Sequence, residues 1–163
     1  MERTAIYPGT FDPVTLGHLD IISRGARLFE KVIVAVVVNR EKTPLFTPDE
    51  RVRQLQESVA DLPNVEVAQF GGLLVDYVKQ VKAHVIIRGL RAISDFENEF
   101  QMAAMNHQLD PEMETIFLMA GEATTFVSSR LIKEIAAMGG DVRKFVPSGV
   151  VPDLLAAIGN ETS

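Results

Sequence analysis

One of the chain's three histidines, His18, ends the stretch "YPGTFDPVTLGH", Tyr7 to His18, just after a short apolar run and behind two glycines, two prolines and two threonines. An imidazole beside such open backbone suits a phosphate site, and Gly17 leaves the main chain there without a β-carbon. Lys42, Arg88, Arg91 and Arg130 each follow a later apolar run. Lysine is a mobile point charge, and arginine presents a planar fork to phosphate. Helices starting near His18 and Ser129 would add N-terminal donors and positive dipole ends. Each piece has a plainer reading alone: turn glycines, a capping histidine, a solvated Lys42, surface arginines in "RGLR", and Ser128 as a helix cap. Their convergence would make a local anion site in a chain of net charge −6.

Convergence requires elements that bring these residues to one edge. Five short runs rich in β-branched residues read as strands: Thr4 to Tyr7, Val32 to Val38, Val65 to Ala68, Val85 to Arg88 and Thr115 to Met119. "VIVAVVV" is apolar on both faces and suits the interior of a parallel sheet. Between the runs lie segments of helical period. One runs from about His18 with Ile22, Ala26 and Phe29 on one face, and Gly25 is a weak point there. Another opens with Thr47 as N-cap, Pro48 at the first helical position and Glu50 closing a capping box. A third carries Leu74, Val78 and Val81. A fourth has Ser94 and Glu97 in capping-box register and a stripe of Phe96, Phe100, Ala103 and His107, ending near Asp110-Pro111. "SSRLIKEIAAMGGD" stops at Gly139 and Gly140, and a tail helix lies around "DLLAAIG". Regular alternation predicts a single α/β domain over 1–163, a doubly wound five-stranded parallel sheet, with ligands beyond the carboxyl ends of the strands.

Composition narrows the chemistry. With 47% hydrophobic and 23% charged residues the chain should fold, and without cysteine it has no disulfide, thiolate nucleophile or cysteine-bearing metal site. "MERTAIYPG" lacks the features of a signal peptide, and no apolar run approaches a membrane span, so a cytoplasmic protein is expected. The acidic balance argues against broad nucleic-acid or membrane binding. No Walker A loop, G-x-G-x-x-G, HExxH or G-x-S-x-G is present, so phosphate must be held by another design.

"TLGH" (Thr15 to His18) resembles the [HT]xGH signature of the nucleotidyltransferase superfamily, and "VSSRLIK" (Val127 to Lys133) resembles its ISSxxx[RK] motif. Class I aminoacyl-tRNA synthetases share that signature, but this short acidic chain has no KMSK sequence. "YPGTFDPVTLGH", "KTPLFTPDER", "IRGLRAISDFE" and "VSSRLIKE" together, in this order and spacing, resemble the bacterial phosphopantetheine adenylyltransferases along nearly the whole chain. The resemblance implies a Rossmann-like nucleotidyltransferase fold and transfer of the adenylyl group of ATP to 4′-phosphopantetheine, giving dephospho-coenzyme A and pyrophosphate. It implies that Thr10, Phe11, His18, Gly89, Leu90, Arg91, Glu99 and the run Thr124, Thr125, Phe126, Val127, Ser128, Ser129 and Arg130 line the ATP site. Thr10, Lys42, Leu74 and Arg88 would contact phosphopantetheine, and His18, Thr10, Lys42 and Arg91 would act on the reacting phosphates. Mg2+ held mainly by ATP phosphates, a homohexamer and feedback inhibition by coenzyme A are further implications. Departures from the family fall at Asn98, Thr124 and Arg130. The alternatives are another small nucleotidyltransferase, acting on nicotinamide mononucleotide or using CTP, and a non-catalytic nucleotide-binding module.

Overall fold

The computed structural model describes residues 3–39 and 43–161. Five parallel strands form one sheet: β1 (Thr4–Gly9), β2 (Lys31–Val37), β3 (Val65–Phe70), β4 (Val85–Leu90) and β5 (Glu114–Met119), in the spatial order β3-β2-β1-β4-β5. The chain thus winds outward from β1 to β3, crosses back and winds out the other way, which puts the switch of direction between β1 and β4. This is the doubly wound sheet expected from the sequence.

Alternation along the strands splits the core into two layers. Ala5, Tyr7, Val32, Val34, Val36 and Ile87 face one cluster. Ile6, Ile33, Ala35 and Ile86 face the other, with Val75 and Val78 of α3 (Leu74–Gln80). The first layer is covered by α1 (Leu16–Leu28), α2 (Pro48–Ser58), α5 (Ser129–Ala137) and α6 (Val150–Glu161), whose Ile22, Leu55, Ile132 and Leu154 are buried. The tail helix therefore covers the core.

Gly25 has a packing reason that the sequence does not display. A β-carbon there would lie 3.0 Å from Ile87 Cδ1, and one at Gly89 would lie 3.2 Å from Ile21 Cγ1. Both glycines let α1 settle close against β4, which places its N-terminus over the switch point.

Helix α4 (Ile93–Leu109) departs from expectation at its start. It begins one residue before Ser94, with Ala92 at the N-cap position and no side-chain cap. Its entry is held instead by Arg91, which bonds Asp95 one turn on and the Val127 carbonyl. Its stripe lies outward: Phe96, Phe100 and His107 are exposed, and Ala103 is half-buried.

The strands also part where a site is needed. β1 pairs with β2 along all six of its residues, but with β4 only through Ala5 and Ile6. Beyond Tyr7 the carboxyl ends of β1 and β4 diverge. The Pro8 carbonyl, which has no β4 partner there, accepts from Arg88 Nη1 at 2.8 Å.

Candidate active site

A cleft of about 590 Å³ fills that divergence. Three loops supply its walls: the turn after β1 with the first turn of α1, the end of β4 with α4, and the segment from Ala120 through the start of α5. The Rossmann-type switch-point rule is thereby met.

Local structure explains the placing of His18. Thr15 is the N-cap of α1, and its Oγ1 accepts the His18 backbone N–H at 3.2 Å. His18 returns the bond, its Nδ1 accepting the Thr15 N–H at 3.0 Å, so histidine takes the part usually played by glutamate in a capping box. An Nδ1 that accepts must be unprotonated, which leaves the neutral ring's proton on Nε2. The Phe11 ring packs edge-on to the imidazole with centroids 4.9 Å apart. Phe11 is seated over Gly9, where a β-carbon would stand 2.9 Å from its Cζ. Enclosure of the half-buried His18 and the positive charges of Arg91 and Arg88 push its pKa down to about 4. At neutral pH the ring is therefore an uncharged donor. Burial keeps the Tyr7 hydroxyl, also in the wall, protonated.

Every cation that lines the cleft is tied to a carboxylate. Arg88 meets Glu99 through Nε at 2.6 Å and Nη2 at 2.5 Å, Arg91 meets Asp95 at 2.9 Å, Lys133 meets Asp12 at 2.9 Å and Arg130 meets Glu134 at 3.0 Å. Burial works against the Arg88 charge, but the fork-to-fork bond with Glu99 outweighs it and raises the guanidinium pKa. Oriented, charge-balanced forks can share their remaining donors with phosphate while costing little reorganisation.

Of the residues expected at the site, Thr10, Phe11, His18, Arg88, Gly89, Arg91, Glu99, Thr124, Val127, Ser128, Ser129 and Arg130 line the cleft. Ser128 also caps α5 through Leu131 N, and Ser129 Oγ donates to the Pro13 carbonyl at 2.8 Å, drawing α5 onto the first turn. Arg130 is largely solvent-facing. Thr125 and Phe126 sit beside the lining, Thr125 Oγ1 donating to the Arg91 carbonyl and Phe126 packing edge-on to Phe145. Leu90 ends β4, and Leu74 heads α3 beyond β3; neither lines the cleft. Lys42 lies outside the described residues. Asp12, Asp95 and Lys133 line the cleft without having been singled out. For Lys133 the signal was there, as the last position of "VSSRLIK".

The fold and the cleft define a nucleotidyltransferase, and the cytidylyltransferase-like family model matches residues 6–135. Among curated relatives, the phosphopantetheine adenylyltransferase of Methylococcus capsulatus is 58% identical over 92% of this chain and 93% of its own. Those of Caldanaerobacter subterraneus subsp. tengcongensis (57%; 94% and 96% of the two chains) and Rhizorhabdus wittichii (51%; 96% and 94%) are similar throughout. The chain belongs to the phosphopantetheine adenylyltransferase family. A solved structure from Vibrio parahaemolyticus, assigned as a nicotinate-nucleotide adenylyltransferase, superposes with a TM-score of 0.72 over 99% of this chain and 97% of its own at 16% identity, a likeness of fold alone.

Proposed function

We infer that the chain transfers the adenylyl group of ATP to 4′-phosphopantetheine, forming dephospho-coenzyme A and pyrophosphate in the penultimate step of coenzyme A synthesis. The observation that carries this reading is a histidine whose Nδ1 accepts the Thr15 N–H, leaving Nε2 as the donor, in the same cleft as Arg88.

The acceptor phosphate attacks the α-phosphorus of ATP; the new P–O bond forms as the bond to the pyrophosphate oxygen breaks. Two anions must meet while charge builds on the bridging and leaving oxygens, so positioning and charge stabilisation supply the acceleration. His18 Nε2–H donates to an α-phosphate oxygen. The exposed Thr10 hydroxyl bridges the reacting phosphates, with the Phe11 backbone beside it. Arg88 holds the acceptor phosphate against the Pro8 carbonyl, and Lys42 adds a mobile charge to the same group. Arg91, joined to the Val127 carbonyl, sets the wall formed by Gly89, Leu90 and Thr124–Arg130 against the nucleotide. Glu99 serves the site through Arg88. The pantetheine arm runs along the strand ends toward Leu74.

Magnesium would neutralise ATP phosphates when bound. The described residues hold no group of three His, Asp or Glu side chains fit for a metal, and Asp12, Asp95 and Glu99 are each committed to a cation. The ion would accordingly arrive on ATP and keep its waters. Coenzyme A, which carries the product's adenylyl and pantetheine groups, would compete for the same cleft. Exposed apolar side chains on α4 and β5, among them Phe100, Met105 and Met119, support self-association, and the assembly proposed is a homohexamer, to be read by light scattering. No helix among the described residues is long and apolar enough to cross a membrane, in keeping with a proposed cytoplasmic site of action.

Pyrophosphate release with ATP and magnesium tests the reading, comparing 4′-phosphopantetheine, nicotinamide mononucleotide and no acceptor. Release only with phosphopantetheine is expected. Release with the other acceptor would overturn the specificity, and none with either would leave a nucleotide-binding module.

A further inference from the structure

Arg51, on α2, is only 2% exposed and touches no carboxylate among the described residues. Three hydrogen bonds tie it to backbone: Nη1 donates to the carbonyls of Thr10 at 2.8 Å and Val37 at 3.1 Å, and Nε to that of Phe46 at 3.2 Å. These carbonyls belong to the turn after β1, the end of β2 and the approach to α2. Asp12 secures the last from the other side, its carboxylate accepting the N–H groups of Leu45 and Phe46, each at 2.9 Å.

Next to the first of these carbonyls the backbone is in an unusual state. Phe11 has φ +52°, in the left-handed region that side chains other than glycine rarely enter. In a trans peptide the C=O and N–H point opposite ways. Holding the Thr10 carbonyl on the guanidinium therefore turns the Phe11 N–H away from Arg51, and Thr10 and Phe11 both line the cleft. Phe46 N and O are clasped together by Asp12 and Arg51, which ties the chain that follows Lys42 to the same turn.

We propose that Arg51 is a positioning residue for adenylyl transfer: it fixes the Thr10–Phe11 peptide so that the Phe11 amide is a preset donor to the ATP phosphates. A buried guanidinium reading three carbonyls is a geometry that lysine cannot reproduce. The inference rests on the reaction proposed above for its rate effect, but its binding arm needs ATP alone.

The test uses Arg51→Lys and Arg51→Met, assayed well below their unfolding temperatures with circular dichroism as the check on folding. The expected result is a kcat about 10- to 100-fold lower with KM for ATP changed about threefold or less. Saturating ATP is also expected to shift the Phe11 amide signal in 15N-labelled wild type, and to leave it unmoved in the variants. A folded Arg51→Lys protein with wild-type kcat and a wild-type Phe11 shift would overturn the proposal. If neither variant folds, wild type decides: the Phe11 amide and the Arg51 guanidinium signals should follow one ATP binding curve, and either staying still defeats it. Wild type inactive on phosphopantetheine would remove the proposed reaction, while the ATP titration would still decide the role of Arg51.

Discussion

His18 Nδ1 accepts the backbone N–H of Thr15 at 3.0 Å, and Thr15 Oγ1 accepts the backbone N–H of His18 at 3.2 Å. The reciprocal pair begins a helix and selects a tautomer in one stroke. It ties the cap of α1 to the imidazole in the cleft wall, although the Thr15 side chain is itself buried.

Thr15→Ala should therefore cost about 1 kcal/mol of stability as a lost cap, and should also lower kcat by loosening the ring. Thr15→Ser should restore both. Thermal unfolding and initial rates on the three proteins check this; a stability loss with unchanged kcat would make Thr15 a cap and nothing more.

The depressed pKa of His18 has a definite sign in stability. Between about 4 and the ordinary value near 6.5 the unfolded chain binds a proton that the folded chain refuses. The His18 contribution is thus complete above 6.5 and declines as pH falls toward 4. Urea unfolding at pH 7 and pH 5 should show wild type losing more stability than His18→Asn. An imidazole titration by NMR should give a midpoint near 4 in the free protein, and a midpoint near 6.5 would refute the enclosure argument.

Glu99 grips Arg88 through both carboxylate oxygens. Glu99→Gln keeps the size but loses the charge and one acceptor, so Arg88 should wander and KM for 4′-phosphopantetheine should rise about tenfold, equivalent to about 1.4 kcal/mol. KM for ATP should change less. Equal effects on the two substrates would return Glu99 to the nucleotide.

Gly9→Ala would drive a β-carbon to 2.9 Å from the Phe11 ring. Overpacking of this kind costs about 1–3 kcal/mol, and here it should also tilt the ring that supports His18, lowering kcat. Wild-type kcat in a folded Gly9→Ala protein would show that the ring is free to move.

Much of the site was legible because its residues follow strands. Arg88 closes the run read as the fourth strand and Arg91 follows it, while His18 and Thr124 lie in the segments after the first and fifth, and parallel strands bring such strand ends to one edge. Asp12 and Arg51 were not legible, since their partners lie far along the chain: Leu45, Phe46 and Lys133 for one, Thr10 and Val37 for the other. Arg51 reads as an ordinary charged helix residue until the fold buries it. Gly25 reads as a defect in a helix, because propensity records its entropy and not the approach of Ile87. The stripe on α4 keeps helical spacing, but periodicity says which residues share a face and not what covers it.

The most direct measurement is single-turnover formation of dephospho-coenzyme A from saturating ATP and 4′-phosphopantetheine, comparing wild type with His18→Ala. Loss of one preset donor to developing charge costs about 100- to 1000-fold in rate, so the account predicts a fall of that order with ATP affinity changed only a few-fold. Equal single-turnover rates in the two proteins would contradict it.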